Sequence, residues 1–435
     1  MKVKELLSFS PIVNVLKSLG PGLITGAADD DPSGIVTFLQ IGAKLGLGML
    51  WMVLFLFLMK IAVQETCARI GLVTGKGLAT VIKNKYSKIV VIPISGLLII
   101  ANIINIGVDI GAMAVSIKLI FPQLPSYIAT IIFTILILGT QIFIPYIKYV
   151  RFLKYLTLSL FAYVITAVIV GGNFIQIITA TIIPHIEFSS DFIMLFVAMF
   201  GTTISPYLFF WQTSEEVEED VAKNKIREIG KGKPNISKKE IRMMRQDVAI
   251  GMFFSQFITW TIIITTAGSL HINGITNIQT ADQAAQALQP LVNTFPYSGE
   301  IAKIIFAMGI IGTGLLSIPV LSASSAYALS DTFGWKEGLG KKFGQAKSFY
   351  IIIIFSTIIG LGIAIFDTNI IQALIYASVI NGIVSVPMIL IIMKIGNDSN
   401  ILKDRTNGLF SNVVGWITFI IMTISVIFLF LTEIK

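Results

Sequence analysis

Leu23-Ile24-Thr25-Gly26-Ala27-Ala28-Asp29-Asp30-Asp31-Pro32-Ser33-Gly34-Ile35-Val36 sets three consecutive carboxylates inside a run that otherwise reads as membrane-spanning. Ionisable residues at membrane depth are costly, so they face a cavity and mark an ion or substrate pathway. Pro32 removes a backbone donor and Ser33-Gly34 lets the chain turn, so a helix breaks here. A break within a bilayer is tolerated where the freed backbone groups line a cavity. The stretch therefore reads as half of a cation site.

The rest of the chain agrees with a membrane setting. Of 435 residues, 55% are hydrophobic and 13% charged, and the mean hydropathy is +0.85. These values describe an all-α polytopic membrane protein. Apolar segments long enough to span fall at about 18–43, 47–72, 89–120, 125–145, 152–171, 189–212, 247–269, 299–330, 347–366, 369–393 and 411–432, about 11 in all. The net charge of +8 is distributed as a topology signal, not as a nucleic-acid surface. Lys76, Lys83, Lys85 and Lys88 follow segment two, Lys148, Arg151 and Lys154 follow segment four, and nine basic residues lie between Lys223 and Arg245. Lys336, Lys341, Lys342 and Lys347 follow segment eight, whereas 173–190 and 270–298 carry no lysine or arginine. The amino terminus is expected in the cytoplasm, the carboxyl terminus outside, and the protein in the cell membrane. The first apolar run holds the acids, so no cleavable signal is expected. The single cysteine, Cys67, excludes an intramolecular disulfide, and both histidines, His185 and His271, lie outside the expected spans.

The second half of the site is expected in segment six, Met199-Phe200-Gly201-Thr202-Thr203-Ile204-Ser205-Pro206-Tyr207-Leu208, where small residues again precede a proline in mid-membrane. Pro32 and Pro206 are five spans apart, which reverses the orientation of the second copy. Paired interrupted helices of this kind point to an inverted-repeat transporter with its site at the midplane. The alternative, that each proline merely kinks a packed helix, leaves the three aspartates unexplained.

The donors at the two breaks are oxygens: the Asp31 carboxylate, carbonyls near Ala28 and Thr202, and the hydroxyls of Thr202, Thr203 and Ser205. Such a set suits Mg2+, Ca2+ or Mn2+, while thioether, thiolate and imidazole favour softer metals.

Gly20-Pro21-Gly22 followed by Asp31-Pro32-Ser33-Gly34 resembles the first helix of the natural-resistance-associated macrophage protein (NRAMP) metal transporters. Gln64 through Leu78, with Gly71, Thr74-Gly75-Lys76 and Leu78, is similar to that family's second helix and following loop. The resemblance implies the amino-acid–polyamine–cation transporter fold, with two inverted five-helix repeats (about 16–171 and 189–393), broken helices one and six, and an extra helix at about 411–432, in a single transporter domain over 1–435. It implies a metal site at Asp31, Ala28, Gly34, Thr202 and Ser205, with Asp30, Thr203, Tyr207 and Asn381 around it. Gly34 falls where the family has an asparagine ligand, and Ser205 where it has a methionine. Tyr207 and Gln212 fall on two helix-six histidines tied to proton movement. Asn105 falls near the helix-three acid of the proton path, and segment nine has no arginine to match that path's basic member.

This pattern resembles the NRAMP-related magnesium transporter branch. The implied function is secondary transport of divalent metal, Mg2+ and also Mn2+, into the cell, driven by membrane potential without protons. The alternative is a proton-coupled Mn2+/Fe2+ transporter. An organic-solute transporter fits the three acids less well, and an intramembrane protease lacks the glycine-flanked aspartate signature. No enzyme activity and no cofactor are expected. The expected partners are the divalent cation and membrane lipid, with no nucleic acid and no obligate protein.

Three further expectations concern charged residues. Lys60 lies about 18 Å of helix inside segment two, too deep to snorkel, and is expected to pair with Asp29, Asp30 or Glu65. Glu65 and Arg69 form a structural i,i+4 pair. Thr213 with Glu216 reads as a capping box opening a solvated acidic helix over 213–220, with an acidic exit vestibule as the alternative.

Overall fold

The computed structural model describes residues 20–144, 157–366 and 369–433, and among them there is no β-strand. The first expected span is two helices, α1 (Pro21–Asp29) and α2 (Pro32–Leu45), separated at Asp30 and Asp31. Next come α3 (Trp51–Thr74), the short α4 (Leu78–Tyr86), α5 (Lys88–Ile120) and α6 (Ser126–Phe143). The loop residues Lys148, Arg151 and Lys154 and the start of segment five lie outside the described residues. After them come α7 (Phe161–Val170) and α8 (Phe174–Ile182), bent by 118°. Span six is again divided, into α9 (Ser190–Thr203) and α10 (Pro206–Ala222). The remainder comprises α11 (Lys238–Ser269), the short α12 (Ala281–Gln286) and α13 (Gln289–Val292), α14 (Ser298–Phe333), α15 (Lys347–Phe366), α16 (Ile370–Gly396), the short α17 (Ser399–Leu402) and α18 (Leu409–Glu433).

Among the described residues nine helical stretches are long and apolar enough to cross a membrane, or ten if α7 and α8 form one span. The split α1–α2 pair is not among them.

Local chemistry sets the boundaries that matter. Pro21, Pro32 and Pro206 open α1, α2 and α10 at the first helical turn, where a missing N–H costs nothing. Gly75 closes α3 and Gly334 closes α14 in the left-handed conformation. Three expectations need correction. The stretch 173–190, expected as a loop between segments five and six, is helical over Phe174–Ile182. Helix α11 starts at Lys238, nine residues before the expected 247, because Ser237 and Glu240 form a capping box inside the basic run. Thr213 starts no helix. It lies inside α10, where its hydroxyl bonds the Phe209 and Cys67 carbonyls.

The acids after Thr213 consequently occupy the last turns of a helix begun at Pro206, and Glu216 and Asp220 are buried. The solvated reading fails because neighbouring helices cover this face. Asp220 is held by Lys225 (2.8 Å) and Glu216 accepts from Gln212 Nε2 (2.9 Å).

The connections group by charge. At one end, Gly230 N–H donates to the Gly75 carbonyl, Lys85 pairs with Asp398, Lys83 bonds the Asp331 and Thr332 carbonyls, and Arg69 reaches the Arg405 carbonyl. The lysine-bearing connections after α3, α10 and α14 are thus gathered on one face. At the other end, Trp51 Nε1 donates to the His185 carbonyl, and His271 Nδ1 contacts the Ala43 carbonyl. Outward-facing Ile100, Ile132, Ile351, Ile420 and Phe430 are exposed, as lipid-facing side chains are.

Candidate metal centre

Asp31 is the N-cap of α2. Its Oδ1 accepts from the Gly34 N–H at 2.7 Å and the Ser33 hydroxyl at 2.8 Å. Asp31-Pro32-Ser33-Gly34 is therefore a capping motif as well as a break: the carboxylate satisfies donors at the positive end of α2. Gly34 contributes an N–H to Asp31, not an acceptor. A Cβ built at Gly34 lies 2.6 Å from Thr202 Oγ1 and 3.2 Å from Asp31 Oδ1. The Thr202 hydroxyl thus occupies the space beside Gly34 and flanks Asp31 from the second break.

That second break is built from neutral dipoles. Ile204 leaves the helical conformation and Ser205 becomes the N-cap of α10. The Ser205 hydroxyl lies 2.8 Å from the Thr202 carbonyl and 2.9 Å from the Gly201 carbonyl. Thr202 Oγ1 and Thr203 Oγ1 are buried with no hydrogen-bond partner among the described residues. Tyr207, fully buried, ties the halves together: its hydroxyl donates to the Ala28 carbonyl at 3.0 Å and interacts with the Asp31 carboxylate. Ser385 holds the Ile204 carbonyl at 2.7 Å, and Ser324 holds that of Tyr207 at 2.8 Å.

The structure brings Asp31, Ala28, Gly34, Thr202, Ser205 and Tyr207 to one place. Asn381 is buried but pairs reciprocally with Asn105 at 2.9 and 3.1 Å. Asp30 and Asp29 turn away from Asp31. Lys60 Nζ pairs with Asp29 and donates to Ser255 Oγ at 2.8 Å. Ser255 Oγ in turn donates to Asp29 at 2.7 Å and contacts Asp30 at 3.1 Å. The expected partner of Lys60 is therefore Asp29, on α1. Glu65 is engaged elsewhere, by Arg69, Arg245 and Ser411.

Two participants carried no motif. Ser255, a hydroxyl in the apolar run of α11, is the hub of the Lys60 cluster. Asp109 of α5 is buried behind the first break. Its Oδ2 accepts from Ser317 at 3.3 Å, its Oδ1 has no partner among the described residues, and the Ser33 backbone also interacts with it. One turn along, Met113 packs over Gly314, against which Pro32 also rests. An acid inside a 33-residue apolar helix was the available signal for Asp109.

The neighbourhood carries four carboxyl groups, on Asp29, Asp30, Asp31 and Asp109, against the one ammonium of Lys60. Among the described residues no three His, Cys, Asp or Glu side chains converge on a point. Around Asp31 the structure gathers one carboxylate, carbonyls at the ends of α1 and α9, and hydroxyls. All are hard oxygen donors. Asp31, Thr202 and Ser205 are each about 1% exposed, so neither face of the protein opens onto them in this conformation.

An all-helical membrane protein with two broken helices meeting at a buried carboxylate has the architecture of the amino-acid–polyamine–cation transporter fold. Solved structures share this fold. The Eremococcus coleocola manganese transporter, bound to an aromatic bis-isothiourea compound, superposes with a TM-score of 0.73 at 16% identity, covering 96% of this chain and 87% of that one. MhsT in complex with L-phenylalanine gives 0.63 at 13% identity, covering 94% and 98%. The nucleobase-cation-symport-1 family transporter Mhp1, closed on bromovinylhydantoin, gives 0.59 at 12%, covering 95% and 92%. Residues 22–432 match the family model for natural resistance-associated macrophage protein-like proteins, and the chain belongs to that family. It is a multi-pass membrane transporter of divalent metal, not an enzyme.

Proposed function

We propose that this transporter carries Mg2+, with Mn2+ as a second substrate, into the cell by alternating access, driven by the membrane potential with no coupled proton. The observation that carries this reading is the donor set. Thr202 Oγ1 stands against Gly34, and Ser205 sits at the second break, so both positions offer oxygen or nothing. Mg2+ sheds water reluctantly and is held by one or two carboxylates with several waters retained, which suits a single carboxylate among small residues. Asp31, Ala28, Thr202 and Ser205 are the proposed donors. Gly34, Tyr207, Asp30 and Thr203 position them, and Asn381 supports through Asn105.

The orientation proposed is amino terminus in the cytoplasm and carboxyl terminus outside, supported by the lysine-rich connections gathered at one end. The repeats are placed at about 16–171 and 189–393. Lipid is the surrounding partner, and the chain is proposed to need no second protein.

The energetics suffice. One charge crossing 100 mV gains about 2.3 kcal/mol, so a divalent ion gains about 4.6 kcal/mol. At about 1.4 kcal/mol per decade this sustains roughly a thousandfold accumulation.

Uptake into proteoliposomes tests the reading, with a magnesium dye inside, a pH dye in a parallel batch, and valinomycin with a potassium gradient setting the voltage. Voltage-driven Mg2+ entry without acidification is expected. Ser205→Met then shifts the Mn2+-to-Mg2+ ratio upward, by about tenfold, because a thioether replaces a hard donor. Mn2+ entry with acidification and no Mg2+ flux would overturn the proposal. It would favour proton-coupled Mn2+/Fe2+ transport, for which Asp109, buried beside the first break, is the group to examine.

A further inference from the structure

Helix α14 carries a second group of oxygens far from Asp31. Ser317, which bonds Asp109 beside the metal centre, and Asp331, near the end of the helix, are 14 residues apart, about 21 Å of helix. Gly334, left-handed with φ +76°, then turns the chain back, with the Gly334 and Trp335 N–H groups both bonding the Ser330 carbonyl. This turn returns Glu337 to Asp331.

Asp331 Oδ1 accepts from Thr80 Oγ1 at 2.6 Å, and the Thr80 backbone also interacts with this carboxylate at the first turn of α4. Asp331 Oδ2 lies against Gly77, where an added Cβ would stand 2.0 Å away. The Asp331 and Glu337 carboxyl groups lie within hydrogen-bonding range of each other. They are 4% and 6% exposed, and neither Asp331 Oδ2 nor Glu337 Oε2 meets a donor among the described residues. Two buried carboxylates in contact do not both ionise without a positive charge to offset them, and the ammoniums that act on this pair are Lys83, which bonds the Asp331 and Thr332 carbonyls, and Lys341. Burial and the facing Asp331 hold Glu337 well above the usual carboxylate range.

We propose that Asp331 and Glu337, with the Thr80 hydroxyl beside them, form a second divalent-cation site, distinct from the one at Asp31, on the face that carries the lysine-rich connections. All its donors are oxygens, and two carboxylates with water completing the shell suit Mg2+. A cation there ties α4 to the end of α14 and to the connection after it. That connection is itself strapped to α10, because Glu218 accepts from the Leu339 N–H at 2.6 Å and the Gly340 N–H at 3.0 Å and also bonds Tyr327. The bound cation therefore cross-links α4, the end of α14 and the connection strapped to α10, and slows their parting. On the proposed orientation, which this regulatory role rests on, these elements lie at the cytoplasmic end and the site is a brake set by the delivered ion.

The test uses the full chain in nanodiscs, stripped of metal. Trp335, two residues from Glu337 and stacked on Phe333 at 5.1 Å, is the reporter, read as the emission lost in Trp335→Phe. Measurements are made in an Asp31→Ala background so that the transport site does not contribute. MgCl2 at constant ionic strength is expected to give a saturable change with a midpoint on the order of 10⁻⁴ to 10⁻³ M. Glu337→Gln should move that midpoint upward by about tenfold or more. Glu337→Ala, which leaves the Asp331 cap of α4 in place, gives the same reading should the glutamine variant not fold. A signal that follows pH but not Mg2+ would overturn the proposal, leaving a carboxyl pair sharing a proton. An unchanged midpoint in both Glu337 variants would also overturn it. Because the readout is binding without transport, it stands or falls separately from Mg2+ flux. In liposomes loaded with Mg2+, the initial uptake rate should fall in the parent and not in Glu337→Gln.

Discussion

The two helix breaks have the same grammar and opposite electrostatics. The first, between α1 and α2, holds three carboxylates within a few residues and spends many hydrogen bonds to keep them in place. The second, between α9 and α10, holds no charge and leaves the hydroxyls of Thr202 and Thr203 without partners among the described residues. The proposed site is therefore asymmetric: one break supplies the charge to draw a cation in, and the other supplies dipoles to shape the fit. Within the first break there is a further division. Asp31 caps α2 and faces the second break, whereas Asp29 is neutralised by Lys60 and serves to hold the end of α1.

The division can be broken most directly at Asp31. Asp31→Asn should abolish cation uptake in proteoliposomes, on the order of a hundredfold or more, while thermal melting of the purified protein changes little, since asparagine is also a good N-cap. Equal losses from Thr202→Ala would refute the asymmetry.

Lys60 is next. Lys60→Met leaves Asp29 buried without its partner, a change that costs about 3–5 kcal/mol. Monodisperse protein on size exclusion should collapse, and Asp29→Asn should restore it better than Asp30→Asn does, because the ammonium contacts Asp29 directly. Equal rescue by the two would show a delocalised cluster instead.

A smaller effect is expected at the meeting point of the breaks. Gly34→Ala drives a Cβ to within 2.6 Å of Thr202 Oγ1. Mg2+ uptake should fall about tenfold, in the range of a misplaced site group, and Thr202→Ser, which keeps the hydroxyl but drops the methyl, should not restore it. The smallest effect concerns α1 itself. Asp247 accepts from the Gly20 and Gly22 N–H groups at 2.9 and 2.7 Å. Asp247→Ala removes this cap, worth about 1 kcal/mol, and should raise labelling of a cysteine introduced at Gly20 with no loss of folded protein.

Much of this was legible because it is local. Asp31-Pro32-Ser33-Gly34 and Ser205-Pro206 announce their breaks through proline and the residues beside it. Lys60 declared a need for a carboxylate by its depth alone, but three candidates remained, since only the packing of α1 and α3 onto α11 chooses among them. Local reasoning also misled. Thr213 and Glu216 have the spacing of a capping box, yet the helix had already begun at Pro206 and nothing interrupts it. Ser237 and Glu240, with the same spacing, do form one. What separates the two pairs is the presence of non-helical chain before the first residue. Ser255 left no local trace: one hydroxyl in an apolar helix gains meaning only from the two acids and the lysine that other helices bring to it.

The contact between α1 and α11 has a mechanical consequence. A Cβ at Gly22 would meet Val248 backbone at 2.6 Å, and one at Gly26 would meet the Gly251 carbonyl at 2.2 Å. These helices touch main chain to main chain, with no side chains interlocked at those points. Such surfaces separate like smooth plates, without the rotamer rearrangements that knobs lodged in holes demand. If this half-helix peels away during the cycle, those points store little friction, and the tempo of parting is set by the Asp247 catch at one end of α1, by the Ser255 bonds to Asp29 and Asp30 at the other, and by water wetting bare backbone.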